Sequence, residues 1–298
     1  MKRLVVLLGA TGIGKTDLSI KLAKHLQSPI ISSDSRQIYR EMCIGTAVPT
    51  NEQLAEIQHY FIQSRSIFDD YTAGKFEIDA LELMNNLFAQ HSQLLMVGGS
   101  GLYIDAVCRG IDAIPATEKW LRQNIMERYQ NEGIESLRFE LKRLDAEIYN
   151  QIDIKNPQRV MRALEVCLTS GKPYSSLKQN YSKSRDFEIV KIGLKLNRDE
   201  LYDRINRRVD IMFEQGLLDE AKSLYEHKNV NALKTVGYKE IFEYFDGKTS
   251  LDEAVDLIKR NTRRYAKRQT SWFARYSDIT WFETNEFEKI LRFLESAK

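Results

Sequence analysis

The residues Gly9-Ala10-Thr11-Gly12-Ile13-Gly14-Lys15-Thr16 carry the strongest chemical signal in the chain. Their order fits G-x-x-x-x-G-K-[ST], a cradle for phosphate. Glycines let backbone amides turn inward around phosphate oxygens. A helix beginning at the end of the loop adds its dipole. Lys15 supplies a mobile positive charge, and the Thr16 hydroxyl offers a ligand to Mg²⁺. The cradle does not say which phosphate it holds. A hydrolysing NTPase needs an acid after a hydrophobic strand to help hold the metal. Here Leu94-Leu95-Met96-Val97 runs into Gly98-Gly99-Ser100-Gly101, with no acid. That counts against motor ATPases and helicases and leaves kinases and other phosphate-binding transferases open.

A second chemical group follows in Ser32-Ser33-Asp34-Ser35-Arg36-Gln37-Ile38-Tyr39. In a doubly wound sheet the carboxyl ends of neighbouring strands face one crevice, which sets Asp34 beside the phosphate loop. A carboxylate there can serve as general base or contact Mg²⁺. The same residue precedes Gln37 at capping-box spacing, so it can equally be a helix N-cap.

Two basic segments stand out. Residues 259–275 contain seven Lys or Arg and no acid, with Arg260, Arg264 and Arg268 at i, i+4 spacing. Like charges stacked this way oppose a helix unless something neutralises them, and phosphates do so with release of counterions. Tyr265, Trp272 and Phe273 can stack on bases or anchor the helix in the core. The plainer alternative is a solvated face paired with acids elsewhere. In Asn156-Pro157-Gln158-Arg159-Val160-Met161-Arg162, Gln158 and Arg162 share a helix face that can meet a base edge and a phosphate together. Alternatively, Arg162 pairs with Glu165.

These groups must be positioned by an α/β architecture. Lys2–Leu8 reads as a buried strand, 15–27 as a helix ended by Pro29, Ile30-Ile31 as a second strand and Gln93–Val97 as a third. Strand and helix alternate through the first 110 residues, which argues for a parallel sheet covered by helices. Near residue 112 the chain becomes charged and helical, with helices expected over 118–131, 134–143 and 157–169. Phe187–Leu196 reads as a returning strand, and the remainder as mostly helix. The expected organisation is a phosphate-loop NTPase-like core over 1–112 and 156–298, interrupted by a helical insertion over 113–155.

Composition excludes several classes. Of 298 residues, 43% are hydrophobic and 29% charged, so wholesale disorder is not expected. Leu4–Leu8 is too short for a membrane span or a signal peptide, so a cytoplasmic protein with no membrane partner is expected. Three distant cysteines and four scattered histidines form no zinc or disulfide pattern.

Taken in order, the segments resemble one family, the bacterial tRNA dimethylallyltransferases (isopentenyl-diphosphate:tRNA transferases). The resemblance runs through Gly9–Thr16, Ile31–Tyr39, Ile44-Gly45-Thr46-Ala47, Val97–Tyr103, Asn156–Arg159, Arg162–Glu165, Val236-Gly237-Tyr238 and Arg263–Phe273. It implies that the phosphate loop, residues Gly9, Ala10, Thr11, Gly12, Ile13, Gly14, Lys15 and Thr16, holds the diphosphate of dimethylallyl diphosphate. Arg204 would be a further diphosphate contact, and Mg²⁺ the cofactor. The five-carbon group would pass to N6 of adenosine 37 in tRNAs reading codons that start with U. Asp34 would be the general base, with Lys15 and Ser100 beside it in catalysis. Ser35, Arg36, Gln37, Arg122, Gln158, Arg159, Val160, Met161 and Arg162 match tRNA-contacting positions, as do Asp34 and Ser100 themselves. Arg264, Lys267 and Arg268 would add a positive surface, and 113–155 would grip the anticodon stem. A substrate of tRNA size suits a monomer.

The sequence departs from the family pattern in three places. The loop lacks the usual Pro and one hydroxyl, Ser100 replaces Thr, and Gln58-His59 replaces His-His. On the motifs alone, a small-molecule kinase and a nucleotide-dependent RNA-binding switch stay open beside the transferase.

Overall fold

The computed structural model describes residues 2–112, 114–115, 117–178 and 182–296. Six strands form one sheet: β1 (Arg3–Leu8), β2 (Ile30–Ser32), β3 (His59–Tyr60), β4 (Gln93–Gly98), β5 (Glu188–Lys195) and β6 (Ile279–Glu283). Their order is β3-β2-β4-β1-β5-β6, and every pairing is parallel. The helices are α1 (Lys15–Leu26), α2 (Asn51–Glu56), α3 (Ala73–Leu87), α4 (Gly101–Arg109), α5 (Lys119–Glu132), α6 (Ile134–Leu144) and α7 (Ala146–Gln151). They continue as α8 (Pro157–Ser170), α9 (Tyr174–Leu177), α10 (Arg198–Glu214), α11 (Leu217–Ser223), α12 (Tyr238–Phe245), α13 (Leu251–Phe273) and α14 (Phe287–Ser296).

The all-apolar face of β1 explains its central place. Leu4 to Leu8 are buried on both faces, as a strand flanked by parallel neighbours and covered by helices must be. Leu8 lies opposite Gly98, and Ser32 opposite Val97, so β1, β2 and β4 end level with one another. The phosphate loop, the Asp34 segment and the Gly99-Ser100 turn therefore leave the sheet at the same edge. Helix α1 packs back through Leu18, Leu22 and Ala23.

The chain divides into two compact units, Met1–Arg109 with Ser184–Lys298, and Gly110–Lys183. The second unit is longer than the expected 113–155. Its core joins Ile125, Leu137, Leu141 and Ile148 to Val160 and Leu164 of α8, so that helix belongs here and not to the sheet unit. The helix itself forms where the sequence places it. Asn156 accepts from the amides of Gln158 and Arg159, Pro157 occupies the first turn, and Gly171 ends it in the left-handed conformation.

Two strands escape the sequence reading: β3, which has two residues, and β6, which lies in a stretch read as helical. The helix that Asp34 would cap in one of its two readings is a turn. Among the described residues, no helix is long and apolar enough to cross a membrane.

Candidate active site

The level ends of β1, β2 and β4 open into a cavity of about 640 Å³. Thr11, Gly12, Gly14, Lys15 and Thr16 line one part of it, together with Asp34 and Arg208. Ile44, Ala47, Val48, Pro49 and Ile62 give it an apolar wall.

The phosphate loop closes tightly. Gly12 has φ +77°, and an added Cβ would lie 2.9 Å from Ile205 of α10, so glycine is required on both counts. Lys15 Nζ donates to the carbonyls of Gly9 (3.1 Å) and Ala10 (2.8 Å), which fixes the ammonium within the loop. Desolvation there lowers its pKa to about 8; Asp34 opposes that shift, and Arg208 adds to it. Gln269 of α13 braces the cradle: its Oε1 accepts from the Thr11 amide at 2.8 Å, and its Nε2 donates to the Gly99 carbonyl at 2.8 Å.

Asp34 combines both roles read from the sequence. Its Oδ1 accepts from the amides of Arg36 (2.8 Å) and Gln37 (3.2 Å), capping a turn. Its Oδ2 takes no hydrogen bond within the described residues, and the residue lines the cavity. Ser100 serves that turn. Its Oγ accepts from the Ser35 amide at 2.9 Å and donates to Ser35 Oγ at 3.1 Å. It is buried and does not line the cavity, so it holds the Asp34 segment in place. Gln37 turns its amide to the carbonyls of Thr46 (3.2 Å) and Ala47 (2.8 Å), and Arg36 donates to the Ala232 carbonyl at 3.0 Å.

Arg204 lies against the phosphate loop. It donates to the Ile13 carbonyl at 3.3 Å and pairs with Glu200 at 2.7 Å, outside the cavity lining. Arg208, one helical turn on, lines the cavity and reaches Thr11 Oγ1 at 3.4 Å. Desolvation lowers its pKa and Asp34 counters this. The sequence reading missed Arg208, although its i, i+4 spacing from Arg204 puts both on one face of α10.

The expected RNA contacts in the second unit and on α13 differ in exposure and pairing. In the second unit, Gln158 and Arg159 are exposed. Arg162 and Arg122 meet across Glu165, at 3.1 and 3.0 Å, so the acid alternative holds for Arg162. Val160 and Met161 are corrected: both side chains are buried in the core of that unit and present no contact surface. On α13, Arg264, Lys267 and Arg268 are exposed with no acidic partner among the described residues. The same helix pairs Lys259 with Asp210 at 2.5 Å and Arg263 with Asn206 at 2.6 Å, so two of its cations are satisfied by α10.

No group of three or more His, Cys, Asp or Glu that could hold a metal occurs among the described residues. Thr16 offers a hydroxyl at the cavity. That set suits Mg²⁺, which retains several waters and takes other oxygens from substrate phosphates.

The IPP transferase family model matches residues 37–276. The chain belongs to that family. The match starts after the phosphate loop. The chain is 48% identical over 296 residues to tRNA dimethylallyltransferase 1 of Bacteroides fragilis, covering 99% of this chain and 98% of that one. It is 50% identical over 289 residues to tRNA dimethylallyltransferase 2 of Azobacteroides pseudotrichonymphae, covering 97% and 94%. Among solved structures, the full-length tRNA isopentenylpyrophosphate transferase of Bacillus halodurans superposes with a TM-score of 0.73 at 35% identity, covering 99% of this chain and 96% of that one.

Proposed function

We propose that this enzyme transfers the dimethylallyl group of dimethylallyl diphosphate to N6 of adenosine 37 in tRNAs reading codons that start with U. One observation carries the reading. A phosphate loop with two cations, a carboxylate with one uncommitted oxygen, and an apolar wall all line the same cavity. The names of the full-length relatives give the same reaction class.

The chemistry follows from those groups. The adenine N6 attacks C1 of the prenyl chain, the C1–O bond breaks, and its electron pair leaves with diphosphate. Asp34 takes the proton lost from N6. The loop amides, Lys15 and Arg208 stabilise the charge gathering on the leaving oxygens. Thr16 would hold Mg²⁺ together with the diphosphate oxygens, and the ion would supply further neutralisation of that charge. Ile44, Ala47 and Val48 shield the prenyl chain from water.

The base must leave its stack to enter the cavity, and a nucleotide in a loop does so at least cost. Arg264, Lys267 and Arg268 hold the phosphates of the tRNA, with Gln158 and Arg159 on the helical unit as further contacts. Residues 113–155 of that unit grip the anticodon stem. The enzyme works as a monomer in the cytoplasm.

The test is donor exchange with unmodified tRNA carrying A37. Label entering A37 from dimethylallyl diphosphate in the presence of Mg²⁺, and none from γ-labelled ATP, is the expected result. Transfer of the ATP phosphate to any acceptor would replace this reading with a kinase.

A further inference from the structure

Two sequence motifs supply no reacting group: Ile44-Gly45-Thr46-Ala47, part of the cavity wall, and Val236-Gly237-Tyr238. The fold brings them together around Glu220 of α11. Glu220 Oε2 accepts from the amides of Cys43 (2.9 Å) and Ile44 (2.8 Å), and its Oε1 from the amide of Gly45 (2.9 Å). The Tyr238 hydroxyl donates to the same Oε1 at 2.6 Å. Three successive amides turned to one point form an anion nest. Here the chain's own carboxylate fills it, so this turn is closed to a substrate phosphate.

Gly45 is part of the device. A Cβ there would lie 2.6–2.7 Å from the Tyr238 ring, so only glycine admits the phenol beneath the turn. Tyr238 is fully buried, and burial with the Glu220 charge raises its pKa, which keeps it a hydrogen-bond donor. The far side of the same turn is held by Gln37, which donates to the carbonyls of Thr46 and Ala47. Gln37 in turn gives its amide to Asp34. The apolar wall at Ile44, Ala47 and Val48 is thus fixed from both sides and linked to the carboxylate at the reacting end.

We propose that Glu220 and Tyr238 are a positioning pair that fixes the Cys43–Val48 wall and thereby sets the length of prenyl chain the cavity accepts. This rests on the transferase reading. It predicts that the wall, once released, yields to a longer chain and grips the short one less well.

Two variants and two readouts test it on the full chain. By calorimetry, the wild type binds dimethylallyl diphosphate more tightly than geranyl diphosphate. Glu220→Gln, which leaves one acceptor oxygen for four donors, weakens the short donor about tenfold and narrows the preference by a similar factor. Tyr238→Phe keeps the ring under Gly45 and shifts both in the same direction by about threefold. In turnover, the change appears in KM for the donor, with kcat within about twofold. By hydrogen exchange, the amides of residues 43–45 lose protection in both variants while the phosphate loop keeps its own.

Unchanged protection at 43–45 overturns the clamp. Lost protection with an unchanged donor preference overturns its role in selectivity, as does a wild type that binds neither donor. A wild type that binds both donors with the expected preference yet transfers nothing to tRNA overturns the transferase reading and leaves the clamp supported.

Discussion

The cavity and the outer face of α13 both gather positive charge, and they hold it in opposite ways. In the cavity, Lys15 is fixed by two carbonyls and Arg208 reaches the loop at Thr11, both partly desolvated beside Asp34. On α13, Arg264, Lys267 and Arg268 stand exposed and unpaired by acids among the described residues. Fixed and dehydrated charges act on one developing charge and are screened little by salt. Exposed charges act by their number, on a polyanion, and are screened strongly. Under the proposed function, the difference divides these cations into those for chemistry and those for holding RNA.

Substitutions of the cations sharpen that division, in descending order of effect. Lys15→Ala should lower kcat by about 10² to 10³, the cost of removing one preorganised donor at a developing negative charge. Arg208→Ala should lower kcat/KM for the prenyl donor by roughly 10- to 100-fold, the cost of a lost charge-assisted contact. Neither should alter tRNA affinity in a filter-binding titration. Arg264→Ala, in contrast, should leave kcat intact and weaken tRNA binding by a few-fold, with the slope of log K against log salt falling by about one. Arg204→Ala should lower kcat/KM for the donor by about threefold at most, because it touches the loop only at the Ile13 carbonyl, pairs with Glu200 and does not line the cavity. If Arg204→Ala exceeded Arg208→Ala, the assignment along α10 would be reversed.

A pH profile tests the fixed charge in the cavity. The Lys15 pKa of about 8 lies below the ordinary lysine value, so its charge is present below that pH and lost above it. The kcat/KM for the prenyl donor should therefore be level up to about pH 8 and fall about tenfold per unit beyond, since this ratio reports the free enzyme. An unbroken kcat/KM profile through pH 10 would remove Lys15 from the account.

How much of this was legible in the sequence depends on how local each feature is. The phosphate loop is contiguous, and its flanking strand and helix follow from periodicity, so loop and location were both readable. Helix α8 was readable to within a residue because Asn156, Pro157 and Gly171 punctuate it. The inner face of the same helix was misread: Val160 and Met161 sit in a contact motif by position, but their apolar side chains turn to the core. Arg162 has its acid at i, i+3, a local pairing the sequence offered as an alternative. Arg122 reaches that same acid from another helix, which no spacing rule reveals.

The supports of the site were illegible for the same reason. Gln269 reaches the Thr11 amide across 258 positions, and Glu220 reaches Cys43 across 177. Such partners are chosen by the docking of α11 and α13 on the sheet unit. The strand β6 was hidden because Ile279–Glu283 is short and its periodicity is overridden by pairing with β5.

Asp34 gives the most direct test of the central claim. Single-turnover transfer to tRNA should be measured for wild type and Asp34→Asn, with dissociation constants for prenyl donor and tRNA determined in parallel. The asparagine keeps an oxygen for the amides of Arg36 and Gln37 and loses the second, basic oxygen of a residue that lines the cavity. The account predicts a transfer rate lower by about 10² to 10⁴ with both dissociation constants nearly unchanged. Transfer at close to the wild-type rate would reduce Asp34 to a turn cap and contradict the mechanism.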